Sequence, residues 1–156
     1  MTTLAVGNYL KLANPAQTVV YRFQNFHIGE TSVYNGSSFS FLPFGFSGVS
    51  VNRTGDNTSA SLVFPNNELS RAWALEAVTD RWLATALVMN LDPDDRTAGT
   101  LMHQYVGQVA GGSWDDATLN LEVNTILDAV GSDVPLRRLT QNLIGNIPVS
   151  SNVRLR

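Results

Sequence analysis

Cysteine is absent from this 156-residue chain, so it holds no disulfide framework, no thiolate metal site and no cysteine nucleophile. Lysine is nearly absent as well: Lys11 stands alone beside nine arginines, and the formal net charge is −3. A nucleic-acid binder neutralises phosphates with a basic patch, and this composition supplies none, so no nucleic-acid partner is expected. Charged residues make up only 15% of the chain, against roughly 25% in an ordinary soluble domain. The exterior is therefore left to Ser, Thr, Asn and Gln, which suits a protein packed against neighbours. Long apolar runs are also missing. No stretch approaches the ~20 residues of a membrane span, and Met1-Thr2-Thr3-Leu4 lacks the basic start of a signal peptide, so no direct membrane contact is expected.

The residues of a catalytic machine are equally scarce. A hydrolase triad needs a base imidazole, and only His27 and His103 are present, each in a strand-like pattern and neither near a G-x-S-x-G motif. Both read as partly buried strand residues. Most carboxylates sit in turns or beside Gly and Pro, where Asp serves the backbone. The run Asp92-Pro93-Asp94-Asp95 lacks the alternating ligands, central Gly and distant Glu of a calcium loop. No phosphate-binding glycine motif occurs. The expectation is a protein that is not an enzyme and carries no metal or organic cofactor.

What is present is β structure. Asn35-Gly36, set between Ser32-Val33-Tyr34 and Phe39-Ser40-Phe41, predicts a two-residue hairpin, because both central residues of a type I′ turn need positive φ. Val19, Tyr21 and Phe23 alternate with Thr18, Val20 and Arg22 as a half-buried strand does, and a second strand is expected through Phe26 and Ile28. Ser59 to Phe64, Trp82 to Leu91, Thr100 to Ala110 and Leu119 to Asn124 read as further strands. Turns are expected at residues 92–95 and 111–114. One helix is expected over 66–79, capped by Asn66 or Asn67 and facing the sheet with Leu69, Ala72, Trp73 and Ala77. Trp73 and Trp82 should plug helix to sheet, and Trp114 should be exposed.

At this length one domain is the default, burying roughly 70% of its extended surface. The fold expected is mainly β, an antiparallel β-barrel or split barrel with one α-helix. Residues 1–16 read as a polar lead-in, 17–134 as the barrel and 135–156 as an arm. The charge changes sign along the chain: from Gly131 onward four arginines meet the single acid Asp133, whereas the preceding residues carry six basic and twelve acidic side chains.

The order of elements around the hairpin carries a resemblance. Val33-Tyr34-Asn35-Gly36-x-x-Phe39-x-Phe41-x-Pro43-Phe44, then Gly45-Phe46-Ser47-Gly48-Val49-Ser50-Val51, a polar loop, Ala60-Ser61-Leu62-Val63-Phe64, a short helix and a long apolar strand resemble the N-terminal domain of the phage minor tail protein L family and related tail-tip hub proteins. Pro135-Leu136-Arg137-Arg138-Leu139-Thr140 is similar to the Pro-x-Arg stretch that follows those domains. The resemblance implies a structural virion protein at the distal end of a phage tail, a hub or baseplate subunit joining tail tube to central spike or fibre proteins. Its implied partners are copies of itself in a ring of three or six and other tail proteins. The iron–sulfur segment of some family members is not carried over, because this chain has no cysteine.

Within that reading the arm is expected to lie against a neighbouring subunit, the alternative being a C-terminal strand or helix folded back on its own domain. Arg137, Arg138, Arg154 and Arg156 supply forked cations, and Leu136, Leu143, Ile144, Ile147 and Val149 supply apolar anchors. Two rivals belong to other classes: a carbohydrate-binding β-sandwich module using exposed aromatics such as Trp114, and a small hydrolase using His27 or His103.

Overall fold

The computed structural model describes residues 4–48 and 59–125. They form nine strands and one helix: β1 Ala5–Ala13, β2 Val20–Gln24, β3 Thr31–Tyr34, β4 Ser37–Phe41, β5 Gly45–Phe46, β6 Ala60–Pro65, α1 Glu68–Thr79, β7 Leu83–Leu91, β8 Ala98–Trp114 and β9 Thr118–Thr125. All nine strands belong to one sheet in the order β3-β4-β2-β1-β7-β8-β9-β6-β5. The pairing is antiparallel except between β2 and β4, where Phe23 and Gln24 run parallel to Ser40 and Phe41. The described residues are thus mainly β with one helix, and their ladder is not closed, since β3 and β5 are the terminal strands.

The connection between β4 and β5 shows how far that open ladder curls. Only Leu42, Pro43 and Phe44 separate them, so the Cα atoms of Phe41 and Gly45 lie at most about 15 Å apart. Seven strand steps divide β4 from β5, which in a flat sheet would be about 33 Å. The sheet therefore curls until β4 approaches β5, but this mixed sheet does not close into the expected antiparallel barrel, and it leaves a seam crossed by three residues. Hydrogen bonds reinforce the crossing: the Leu42 N–H donates to the Gln24 carbonyl at 3.0 Å, and Asn25 Nδ2 donates to the Phe44 carbonyl at 3.0 Å.

The helix fills the mouth beside this seam. Asn67 caps it, its Oδ1 accepting from the Ser70 N–H at 2.9 Å while Ser70 Oγ accepts from the Asn67 N–H at 3.1 Å. The stripe Ser70, Trp73, Ala74 and Ala77 faces inward, and Trp73 meets Tyr21 and Phe23 of β2 and Phe64 of β6 at ring distances of 6.3, 5.9 and 5.1 Å. In a flat sheet β2 and β6 would be about 24 Å apart, so one indole spans what the curl brings together. Around it lies the main core: Leu10, Leu12, Leu62, Phe64, Trp82, Val109, Leu119, Leu121 and Val123 are all at most 2% exposed.

A second cluster sits on the outer face. Tyr9, fully buried, stacks on Tyr34 at 5.2 Å, meets Phe39 at 4.6 Å and Phe26 edge-on at 5.1 Å, and its hydroxyl lies 2.6 Å from Ser32 Oγ. The β3–β4 hairpin is thereby folded onto the outside of β1 and β7, with Met89 and Leu91 completing the contact. β1 thus buries side chains on both faces, Tyr9 outward and Leu10 and Leu12 inward.

Several expectations are corrected. Residues 5–13 are not a polar lead-in but a central strand paired to β2 and β7. Phe26 and Ile28 lie in a loop rather than a strand, held by the Gln24 side chain. The glycines at 111 and 112 continue β8, and the turn comes at Asp115-Asp116-Ala117. Leu69 faces solvent, not the sheet.

Candidate interaction surface at the helix and the β8–β9 turn

The expected arm residues Leu136, Arg137, Arg138, Leu143, Ile144, Ile147, Val149, Arg154 and Arg156 lie outside the described residues. The two histidines are separate: His27 is half-buried in the loop after β2, its Nδ1 4.0 Å from Glu30 Oε2, and His103 is exposed on β8. Among the described residues no three His, Cys, Asp or Glu side chains come together as a metal site would require. Asp92 and Asp95 work locally. Asp92 Oδ1 accepts from the Asp94 N–H at 2.9 Å, and Asp95 Oδ1 accepts from the Thr97 hydroxyl at 2.7 Å and N–H at 2.9 Å. The Thr97 hydroxyl, then its N–H, hold the Asp95 carboxyl below the usual carboxylate range.

The groove that stands out lies between α1 and the β8–β9 turn and encloses about 430 Å³. Ala74 and Leu119, both buried, form its floor. Trp114, the last residue of β8, is 64% exposed and faces the groove together with Leu75, which is 65% exposed. Two large apolar side chains this open, lining one groove, form the kind of contiguous exposed apolar patch that marks a contact site.

The groove is held in shape by a short relay. The Asn66 N–H donates to the Ala117 carbonyl at 2.9 Å, Asn66 Nδ2 donates to the Asp115 carbonyl, and Arg71 Nε donates to Asn66 Oδ1 at 2.5 Å. Asp115 closes the turn: its Oδ1 accepts from the N–H groups of Thr118 (2.6 Å) and Ala117 (2.9 Å), and its Oδ2 from the Thr118 hydroxyl (2.9 Å). The Thr118 N–H above all, then the Ala117 N–H and the Thr118 hydroxyl, hold the Asp115 carboxyl below its ordinary range. It stays ionised at neutral pH. Asp116 beside it makes no ion pair among the described residues, so the turn presents carboxylates next to the indole.

Sequence reasoning found Trp114 but not its neighbours. Leu75 lies about 200° around the helix from the inward Trp73, so an anchored helical wheel would have turned it to solvent. Among the described residues no second aromatic ring contacts Trp114, whereas a sugar platform would use several.

No protein-family model and no curated protein matches this chain. In fold it is similar to a chain in the solved structure of the virion of a native gene transfer agent particle, with a TM-score of 0.52 and 18% sequence identity. The likeness covers 85% of this chain and 44% of that one, so the matched region spans less than half the length of the structural neighbour.

Proposed function

We propose that this chain is a structural protein of a phage-like virion, not an enzyme, and that it sits at the distal end of the tail as a tip or baseplate hub subunit. The observation that supports this most is the fold shared with a chain of a gene transfer agent virion over 85% of its length. The sequence resemblance to tail-tip hub proteins points to the same place. A curled, open sheet covered by a helix, with an apolar groove and a weakly charged exterior, suits a subunit whose work is contact. Its partners are then copies of itself around the tail axis, three or six in number, and the tube, distal tail and central spike proteins above and below. The basic arm is its means of reaching a neighbour.

The test is imaging of intact particles carrying a tagged copy of this chain. Density or label at the tail tip supports the assignment. Label on the capsid, or particles that assemble complete tails without the chain, would overturn it.

A further inference from the structure

We propose that the groove between α1 and the β8–β9 turn is the seat for the arm of a neighbouring copy, with residues 135–139 lying against Trp114 and Leu75. This deepens the function proposed above and rests on its reading that the arm reaches another subunit. Three observations converge on that occupant.

The first is charge. The described residues carry ten carboxylates against the cations Lys11, Arg22, Arg71, Arg81 and Arg96, whereas residues 131–156 carry four arginines and one acid. At the groove Asp115, whose carboxylate also closes the turn, and Asp116, which makes no ion pair among the described residues, form an adjacent pair of acids near Arg71, and Arg137-Arg138 is the only adjacent pair of cations in the chain. Guanidinium groups bind carboxylates through a planar fork and also stack on indole faces, so Trp114 and the two aspartates suit the same side-chain type.

The second is apolar matching. Leu136 and Leu139 flank the two arginines, and the groove offers Trp114, Leu75 and the Leu119 floor. An exposed tryptophan in a preformed pocket, rimmed by polar groups, is the usual centre of a protein contact. The third is reach. β9 starts at the groove and ends at Thr125, about 20 Å away, and residues 126–134 span at most about 30 Å. The arm can therefore extend a subunit's grip to an adjacent copy; the same reach permits its own groove, and the experiment separates the two.

Because the chain has no cysteine, single introduced cysteines report contacts without background. Full-length Ala117→Cys, at the groove's turn, is mixed with full-length Thr140→Cys, at the end of the docking segment, and oxidised gently. Gln104→Cys, exposed on β8, is the remote control. The expected result is a mixed disulfide between Ala117→Cys and Thr140→Cys copies and little with Gln104→Cys. Adding Trp114→Ala and Leu75→Ala to the groove chain should cut that yield at least about tenfold, with an unchanged circular dichroism spectrum.

Cross-linking of Thr140→Cys to Gln104→Cys as readily as to Ala117→Cys refutes the groove as the seat while leaving the arm's reach to a neighbour intact. If a chain carrying both Ala117→Cys and Thr140→Cys closes on itself and copies never join, the neighbour reading falls too. Absence of any disulfide, within or between chains, also overturns the proposal.

Discussion

Replacing Gln24 by leucine should cost this protein about 4 kcal/mol, more than any other single polar change in the described structure. The side chain is completely buried and serves four main-chain groups of the loop that follows β2. Its Nε2 donates to the carbonyls of His27 at 2.7 Å and Glu30 at 3.1 Å, and its Oε1 accepts from the N–H groups of Phe26 at 2.9 Å and His27 at 2.7 Å. Each such bond contributes about 1 kcal/mol net, and the buried partners left behind are what make its loss costly. Leucine nearly conserves volume, so a cavity adds little. Gln24 also pairs with Phe41 of β4, so a loosened loop disturbs the start of the 42–44 connection to β5. In urea, with a slope of about 2 kcal/mol/M, the midpoint should fall by about 2 M. Gln24→Glu should lose at least as much near neutral pH, because a carboxylate oxygen would then face the two carbonyls. A midpoint shift below about 0.5 M for Gln24→Leu would show that the loop's backbone finds water without this side chain, and the reasoning would fail.

Three further outcomes test other parts of the structure. Asn67→Ala removes the cap of α1 and should cost about 1 kcal/mol, read as a melting temperature lower by about 2–4 °C. Gly107→Ala should destabilise by about 1–3 kcal/mol in urea, because its Cβ would lie 2.6 Å from the Asn124 carbonyl oxygen and 2.7 Å from Val123 Cγ1, whereas Gly45→Ala, with nothing nearer than 3.9 Å, should change stability by under about 0.5 kcal/mol. The Thr118 and Ala117 N–H groups and the Thr118 hydroxyl hold the Asp115 carboxyl below its ordinary value in the folded protein, so its contribution to stability is complete above that ordinary value and is lost as pH falls through the lower folded one; carboxyl NMR should place its midpoint below that of a free aspartate, and Asp115→Asn should flatten stability against pH in that acid range.

How much of this was legible depended on whether a residue's role was local. The Asn35-Gly36 turn follows from backbone conformation alone, and φ is indeed +46° and +72° there. The helix start was equally local, since a capping side chain acts three residues away. β1 was illegible because it is covered on both sides: Tyr9 belongs to the outer cluster and Leu10 and Leu12 to the inner one, so no alternation of apolar with polar survives. Gly7 adds to the disguise. It looks like a breaker, yet a Cβ there would lie 2.5 Å from the Phe26 ring, so glycine is needed for close packing rather than for a turn. Gly112 misleads in the same way, pressed toward Leu121 and Val78 inside a continuous strand. The groove was half legible. Trp114 was found from its loop-like setting, but Leu75 became visible only once Trp73 had fixed which way the helix faces. The arm's chemistry was plain from its charge, while its seat requires the groove to be seen.

The central position of β1 also dictates when the molecule can finish folding. One edge of β1 meets β2 almost at once, Tyr9 pairing with Gln24, but the other edge waits for β7, where Ala5 pairs with Leu91. At ribosomal speeds of about 5–20 residues per second, that wait is on the order of 4–16 s. Throughout it a nascent chain carries a nine-residue strand with one unpaired edge and side chains that need cover on both faces. Such a segment can pair with its like on another chain. The yield of folded subunit at high expression is therefore governed by how quickly β7 arrives, and a slow codon run before residue 91 should lower that yield without altering the stability of the protein that does fold.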